Sequence, residues 1–216
     1  MSVSLPNGST VAIASGYGSA NAFSTISNAT EAVISDADHT FVNGDIVEIT
    51  SGWVRLNNRI ARVKSVSAGV SYTLEGVDTS NTTRFPPGGG AGSARKVSGF
   101  QQITQILGSN SNGGEQQFKS YKLLEEGEER RIPTSKSARG YSFEVADDTA
   151  QPHYAILTAA DEDRAPRAIR LAFANGGYSY MNCYVTMNPE PTLTVDEIMA
   201  LEVTLSLLAK STRYTA

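Results

Sequence analysis

Apolar and polar residues alternate with a period of two in several stretches between residues 138 and 208, and the rest of the chain is organised around this region. Tyr141-Ser142-Phe143-Glu144-Val145 reads as a strand. Ile169-Arg170-Leu171-Ala172-Phe173 and residues 178–187 read as the two arms of a β-hairpin, because Asn175-Gly176-Gly177 lies between them. With those three residues as the loop, Leu171 stands opposite Met181 and Ile169 opposite Cys183. This register gathers Ile169, Leu171, Met181, Cys183 and Val185 on one face and leaves Arg170, Tyr180, Asn182 and Tyr184 on the other. A two-residue turn would instead set the Ile/Leu/Phe side against the tyrosines, since a one-residue slip flips every side chain. Met199, Leu201, Val203, Leu205 and Leu207 alternate with Ala200, Glu202, Thr204 and Ser206, which favours a strand. Ile198, Leu201, Leu205 and Leu208 also fit a helical stripe.

Between the first of these strands and the hairpin the period changes. Residues 154–160 predict a short helix, with Asp147-Asp148-Thr149 as capping side chains and Pro152 tolerated in the first turn. Asp161-Glu162-Asp163 end it, although negative charge at a helix C-terminus opposes the macrodipole. Either a basic neighbour accounts for the triplet or it is a solvated loop.

The N-terminal half is more broken. Residues 1–30 are small and polar, with a short strand at Val11 and Ile13, and read as an arm or edge segment. Residues 31–76 hold four short strands bounded by turn residues, a small sandwich or barrel with Trp53 as the large hydrophobe capping its core. Phe85-Pro86-Pro87-Gly88-Gly89-Gly90 cannot hold regular structure, and a strand resumes over residues 100–107. The chain thus divides into residues 1–30 and one domain over residues 31–216, interrupted by loops at 77–99 and 108–137.

The second interruption carries the candidate interaction residues. Residues 108–114 read as flexible, and residues 116–124 have strand character. Glu125-Glu126-Gly127-Glu128-Glu129-Arg130-Arg131 then gives an acidic stretch followed by a basic one, and Pro133 closes the segment. One reading is a β-hairpin arm whose apolar residues order against another subunit; the other is a solvated charged loop. The candidate contacts are Phe118, Tyr121, Leu123, Leu124, Glu125, Glu126, Glu128, Glu129, Arg130, Arg131 and Ile132.

The bulk numbers narrow the function. The 216 residues suffice for a buried core, and plentiful glycine, serine and threonine suit a β-rich protein. A net charge of -4 argues against a partner bound through phosphate neutralisation. The single cysteine, Cys183, can form no internal disulfide, which is compatible with a reducing compartment. The N-terminus has no basic and apolar leader, and no stretch approaches the roughly 20 apolar residues of a membrane span. The expectation is a protein made and kept in the cytosol unless it leaves by lysis, with no membrane partner. His39 and His153 lack ligand-like companions, and no nucleophile elbow or phosphate loop is present. No enzyme, cofactor or metal is expected.

Two stretches resemble a known family. The first is Asp38-His39-Thr40-Phe41-Val42-Asn43-Gly44-Asp45-Ile46-Val47-Glu48-Ile49 with Ser51-Gly52-Trp53 and Leu56-Asn57-Asn58-Arg59. It is similar to a β segment frequent in phage tail proteins, with Thr40 and Asn58 where glycine is common. The second, from Tyr154-Ala155-Ile156-Leu157 through the hairpin, looks like the helix and sheet of the tail tube proteins of long-tailed phages. The resemblance implies a mainly β fold, sandwich or barrel-like, flanked by one short helix and carrying long loops or a hairpin arm. It further implies a structural virion protein forming stacked, hexameric rings, with itself, a tape-measure protein and other tail proteins as partners and DNA passing through unbound. Asp147, Asp148, Asp161, Glu162 and Asp163 are candidates for the acidic lumen. The alternatives are a monomeric β-sandwich binding module, for instance for carbohydrate through Tyr178, Tyr180 and Tyr184, or a terminator or baseplate component.

Overall fold

The computed structural model describes residues 7–125 and 127–215. Among them are fifteen strands and one helix: β1 (Thr10–Phe23), β2 (Thr25–Ile26), β3 (Val33–Ser35), β4 (Ile46–Ser51), β5 (Arg59–Ser67), β6 (Ser71–Leu74), β7 (Gly92–Ile103), β8 (Ile106–Asn112), β9 (Gln116–Lys122), β10 (Glu129–Lys136), β11 (Gly140–Ala146), α1 (Pro152–Asp163), β12 (Arg167–Ala172), β13 (Tyr178–Met187), β14 (Ala200–Leu207) and β15 (Thr212–Tyr214). The fold is mainly β with one short helix, as the residue pattern and the resemblance predict. Its ladders are antiparallel and run β2-β3-β6-β5-β4-β7-β1-β12-β13-β14-β11-β8, with β15 on β13 and β9-β10 as a separate pair. The path does not close, so the barrel-like form stops short of a barrel.

Two apolar cores lie along this path. One gathers Ile34, Val47, Ile49, Trp53, Leu56, Tyr72 and Leu74 from the module expected over residues 31–76. Trp53 is buried there, edge-on to Phe85 at 5.2 Å, and its Nε1 donates to Pro86 O at 2.8 Å. The other gathers Val11, Ile13, Phe143, Leu157, Ile169, Met181, Cys183 and Leu205, with α1 packed over β13. β1 and β7 are long enough to serve both, and register shifts along their pairing turn different side chains inward at each end. Ala14, Ile60, Val97, Ala168, Tyr180 and Tyr214 fill the seam.

Several expectations are corrected here. The N-terminal segment is no edge: β1 lies between β7 and β12 inside the sheet. Its Gly16-Tyr17-Gly18-Ser19 stretch lacks alternation, so pattern alone does not reveal a strand that long-range pairing imposes. β7 already begins at Gly92, inside the loop expected over residues 77–99, and the strand expected over residues 100–107 breaks at Gln105, whose φ is +60°. Residues 108–112, expected to be flexible, are strand, because β11 supplies their ladder partners. Asn58, standing where the resemblance suggests glycine, adopts φ +59°, a conformation asparagine tolerates.

The central hairpin keeps its predicted faces but not its register. Phe173 N donates to Gly177 O and Gly176 N to Phe173 O, so the loop is Ala174-Asn175-Gly176, with Gly176 at φ +84°. Ile169 pairs Met181 and Arg167 pairs Cys183. The slip is two residues, which preserves the pleat: Ile169, Met181, Cys183 and Val185 all enter the core.

The helix starts at Pro152, but no side chain caps it. Gln151 is the N-cap residue, and Asp148 instead accepts from Ala150 N at 3.1 Å and Gln151 Nε2 at 2.8 Å in the preceding turn. Arg164, at φ +53°, ends the helix. The acidic triplet does have a basic neighbour, because Asp163 pairs with Arg167 one turn on. Asp161 Oδ1 accepts from Met187 N at 3.2 Å and ties the helix end to β13.

Candidate assembly surface

The arm expected over residues 108–137 is a hairpin. β9 and β10 pair antiparallel with Lys119 opposite Ile132 and Phe118 opposite Pro133. Its root continues the β8–β11 ladder: Glu115 N donates to Ser137 Oγ at 3.0 Å and Ser137 N to Glu115 O at 2.9 Å. Between the two ladders lies a close-packed turn of backbone at Gly113, at φ +73°, where a Cβ would lie 1.8 Å from Ala138 O. Only glycine fits that approach.

All of the described candidate contact residues are exposed. Phe118, Tyr121, Leu123, Leu124 and Ile132 stand on the arm without a core beneath them, and Glu125, Glu128, Glu129, Arg130 and Arg131 surround its tip. Glu126 lies outside the described residues.

The acidic candidates occupy the turn before α1 and its last turn. Asp148 is held below the usual carboxylate range by hydrogen bonds from Gln151, Ala150 and Gln105. Asp163 is held low by the Ala165 N–H and Arg167. Asp161 engages Met187 N, Asp147 N donates to Met199 O at 2.9 Å, and Glu162 is exposed. Three of these five residues, Asp148, Asp161 and Asp163, therefore use their carboxylates to hold local structure.

Sequence reasoning missed two surface features. The first is the outer face of β14–β11, where Glu144 stands directly opposite Glu202 beside Ser142 and Thr204. Like charges placed so are unfavourable, and only the strand register brings them together. The second is the β13–β14 connection, residues 188–199. Leu193 is 78% and Val195 87% exposed, with Ile198 and Met199 also on the surface. Thr192 bridges Ala200, and Glu197 N bonds Thr194 O, so the loop has a defined turn. Pro189 and Pro191 ahead of an apolar run are its sequence signal.

The tyrosine patch of the binding-module alternative does not form. Tyr180 is 6% exposed and packs between Phe100 and Tyr214, at 6.0 and 5.9 Å, while Tyr178 and Tyr184 remain at the surface.

The histidines serve packing. His39 is buried beside Phe41 and Tyr72, its Nε2 3.1 Å from Ser67 O, and burial pushes the His153 imidazole below its ordinary value. Burial pushes the Cys183 thiol up to about 12. Among the described residues no three His, Cys, Asp or Glu side chains gather to hold a metal ion. A groove of about 430 Å³ beside Tyr141, Leu171, Phe173 and Arg213 has no carboxylate, histidine or cysteine on its walls. No described helix is long and apolar enough to cross a membrane.

A family model described as phage tail tube protein, TTP, matches residues 51–216. No curated protein matches the chain. Two solved structures are similar in part. One is a chain of the anti-feeding prophage baseplate (6-fold symmetrised cryo-EM structure), at 8% identity and TM-score 0.39, covering 54% of this chain and 85% of that one. The other belongs to the tube terminating cap of the anti-feeding prophage, at 16% identity and TM-score 0.36, covering 50% and 79%.

Proposed function

This chain belongs to the phage tail tube protein family and is a structural protein of a phage tail, and we propose that it is the tube subunit, assembling with copies of itself into stacked, hexameric rings. The tube surrounds a tape-measure protein, meets other tail proteins at its ends, and later passes DNA. Subunits are made in the host cytoplasm and end in the virion tail.

The observation that carries self-assembly is the β9–β10 arm. A two-stranded ribbon is marginal alone, and this one exposes five large apolar side chains. A surface on another copy stabilises it by covering them, which makes Phe118, Tyr121, Leu123, Leu124 and Ile132, with the charged tip residues, the contact between rings. The sheet path also ends on β8, whose outer edge pairs no other strand among the described residues. An open edge is a liability that a neighbouring copy removes. For the channel wall we propose the Glu144–Glu202 face in place of the acidic residues flanking α1, because like-charge repulsion there keeps DNA sliding.

Electron microscopy of the purified protein tests this reading. Rings and tubes are expected as concentration rises. Particles that stay monomeric in every buffer would overturn it, and rings that never extend would assign the chain to a terminator or baseplate role.

A further inference from the structure

The arm needs a receiving surface, and the fold presents one at the far end of the same strand pair. β11 and β14 are paired from Gly140 opposite Ser206 to Ala146 opposite Ala200. The arm leaves at the Gly140 end, next to its partner Asn112 on β8. The 188–199 loop enters at the Ala200 end. Six residue steps separate the two ends, about 20 Å along the strands. Each copy thus carries an unsatisfied ribbon at one end and an exposed apolar loop at the other.

We propose that the arm of one subunit seats on the 188–199 loop of a second copy in the adjacent ring; the inference rests on the tube-subunit reading and names the acceptor of its ring-to-ring contact. Three observations choose this occupant. The chemistry matches, because Leu193, Val195, Ile198 and Met199 are exposed on the loop and Phe118, Tyr121, Leu123, Leu124 and Ile132 on the arm. Four large apolar side chains left exposed within seven residues of one loop are the kind of surface that marks an interaction site. The charges are complementary along the strands of the arm, not at its acidic tip: the loop carries Glu190, Asp196 and Glu197 with no basic residue, while β9 carries Lys119 and Lys122 with no acidic residue and β10 carries Arg131 and Lys136 beyond Glu129 at its start. The placement also fits, since a head-to-tail contact between different patches at opposite ends propagates without closing, as a tube requires.

Loop and arm variants read out by electron microscopy and melting temperature test this. Leu193→Asp with Val195→Asp is expected to keep the wild-type melting temperature and the rings but to lose tubes. Lys119→Glu with Lys122→Glu is expected to lose tubes as well, and adding Glu190→Lys with Glu197→Lys to regain them. Tubes of wild-type length from the loop variant would overturn the acceptor assignment while leaving the tube reading intact. A folded loop variant that forms no rings would place the loop inside the ring and also overturn it. A wild-type chain that never forms tubes would remove the tube reading, and this inference with it.

Discussion

Glu48 and Arg95 stand directly opposite each other on β4 and β7, and Glu48 Oε2 lies 2.6 Å from Arg95 Nε. The carboxylate is buried, and its other oxygen accepts from Asn182 Nδ2 on β13 at 2.8 Å. The Arg95 guanidinium lies 4.1 Å from the centre of the Tyr17 ring, whose hydroxyl accepts from Ala168 N. One carboxylate therefore organises a polar cross-link among five strands at the seam between the two cores. Breaking such a pair strands a buried group, which costs more than the pair itself contributes. Glu48→Ala is expected to lower stability by about 2–4 kcal/mol in urea unfolding. Glu48→Gln should cost less, because it keeps an acceptor for Asn182; equal losses would remove Asn182 from the network.

Gly113 lets the two backbones at the root of the arm approach each other. Gly113→Val puts a side chain into Ala138 O, so the root must shift, while both cores lie elsewhere. Circular dichroism and the bulk melting transition are expected to stay close to wild type, and tube formation to be lost. Deleting residues 114–135 should give the same result. Loss of folding on that deletion would show that the arm supports the body.

Stability should fall in acid in two stages. Burial holds the His153 imidazole low, with Asp148 pulling weakly the other way. The unfolded chain then takes up this proton at a higher pH than the folded chain does. Stability is lost as pH drops through about 6.5 and levels off once the folded imidazole is protonated too. Glu31, Glu75, Asp148 and Asp163 have lowered values, each through hydrogen bonds, and their contribution is lost only as pH falls below about 4. His153→Gln should flatten the upper stage of a melting-temperature series and leave the lower one.

The opposed carboxylates Glu144 and Glu202 cost stability in the isolated subunit. Glu144→Gln is expected to raise it by about 0.2–1 kcal/mol, read from the urea midpoint. Glu144→Lys with Glu202→Lys should make assembled tubes retain short duplex DNA in a salt-dependent way. Retention equal to wild type would move the channel wall to another face.

Cys183 is fully buried in β13, and its thiol is pushed up to about 12. A thiol-specific reagent at pH 8 is expected to leave the folded chain unmodified and to label one thiol per chain in denaturant. Fast labelling of the native protein would mean that β13 opens readily.

Much of this fold was legible because its signals are local. Alternation at residues 199–207, the turn at Asn57-Asn58 and the glycine loop near Gly176 each record one strand or turn that its own side chains specify. The hairpin faces were legible for the same reason, even though the register slipped by two. The arm was legible only as one of two readings, because apolar residues among charges with no helical or core-facing period fit a solvated loop as well as a hairpin.

Taken alone, the amino-acid order determined the mainly β class, the short helix after Pro152 and the faces of the central hairpin, since each follows from periodicity and turn chemistry over a few residues. Tertiary structure alone decided that Thr10–Phe23 is an interior strand, that Asn112 and Ser137 root the arm on β8 and β11, and that Glu144 meets Glu202. It also decided that the arm and the Leu193–Val195 loop sit at opposite ends of one strand pair. These relationships depend on pairings between residues far apart in the chain, and the energy of a strand pair lies in its partner as much as in its own sequence.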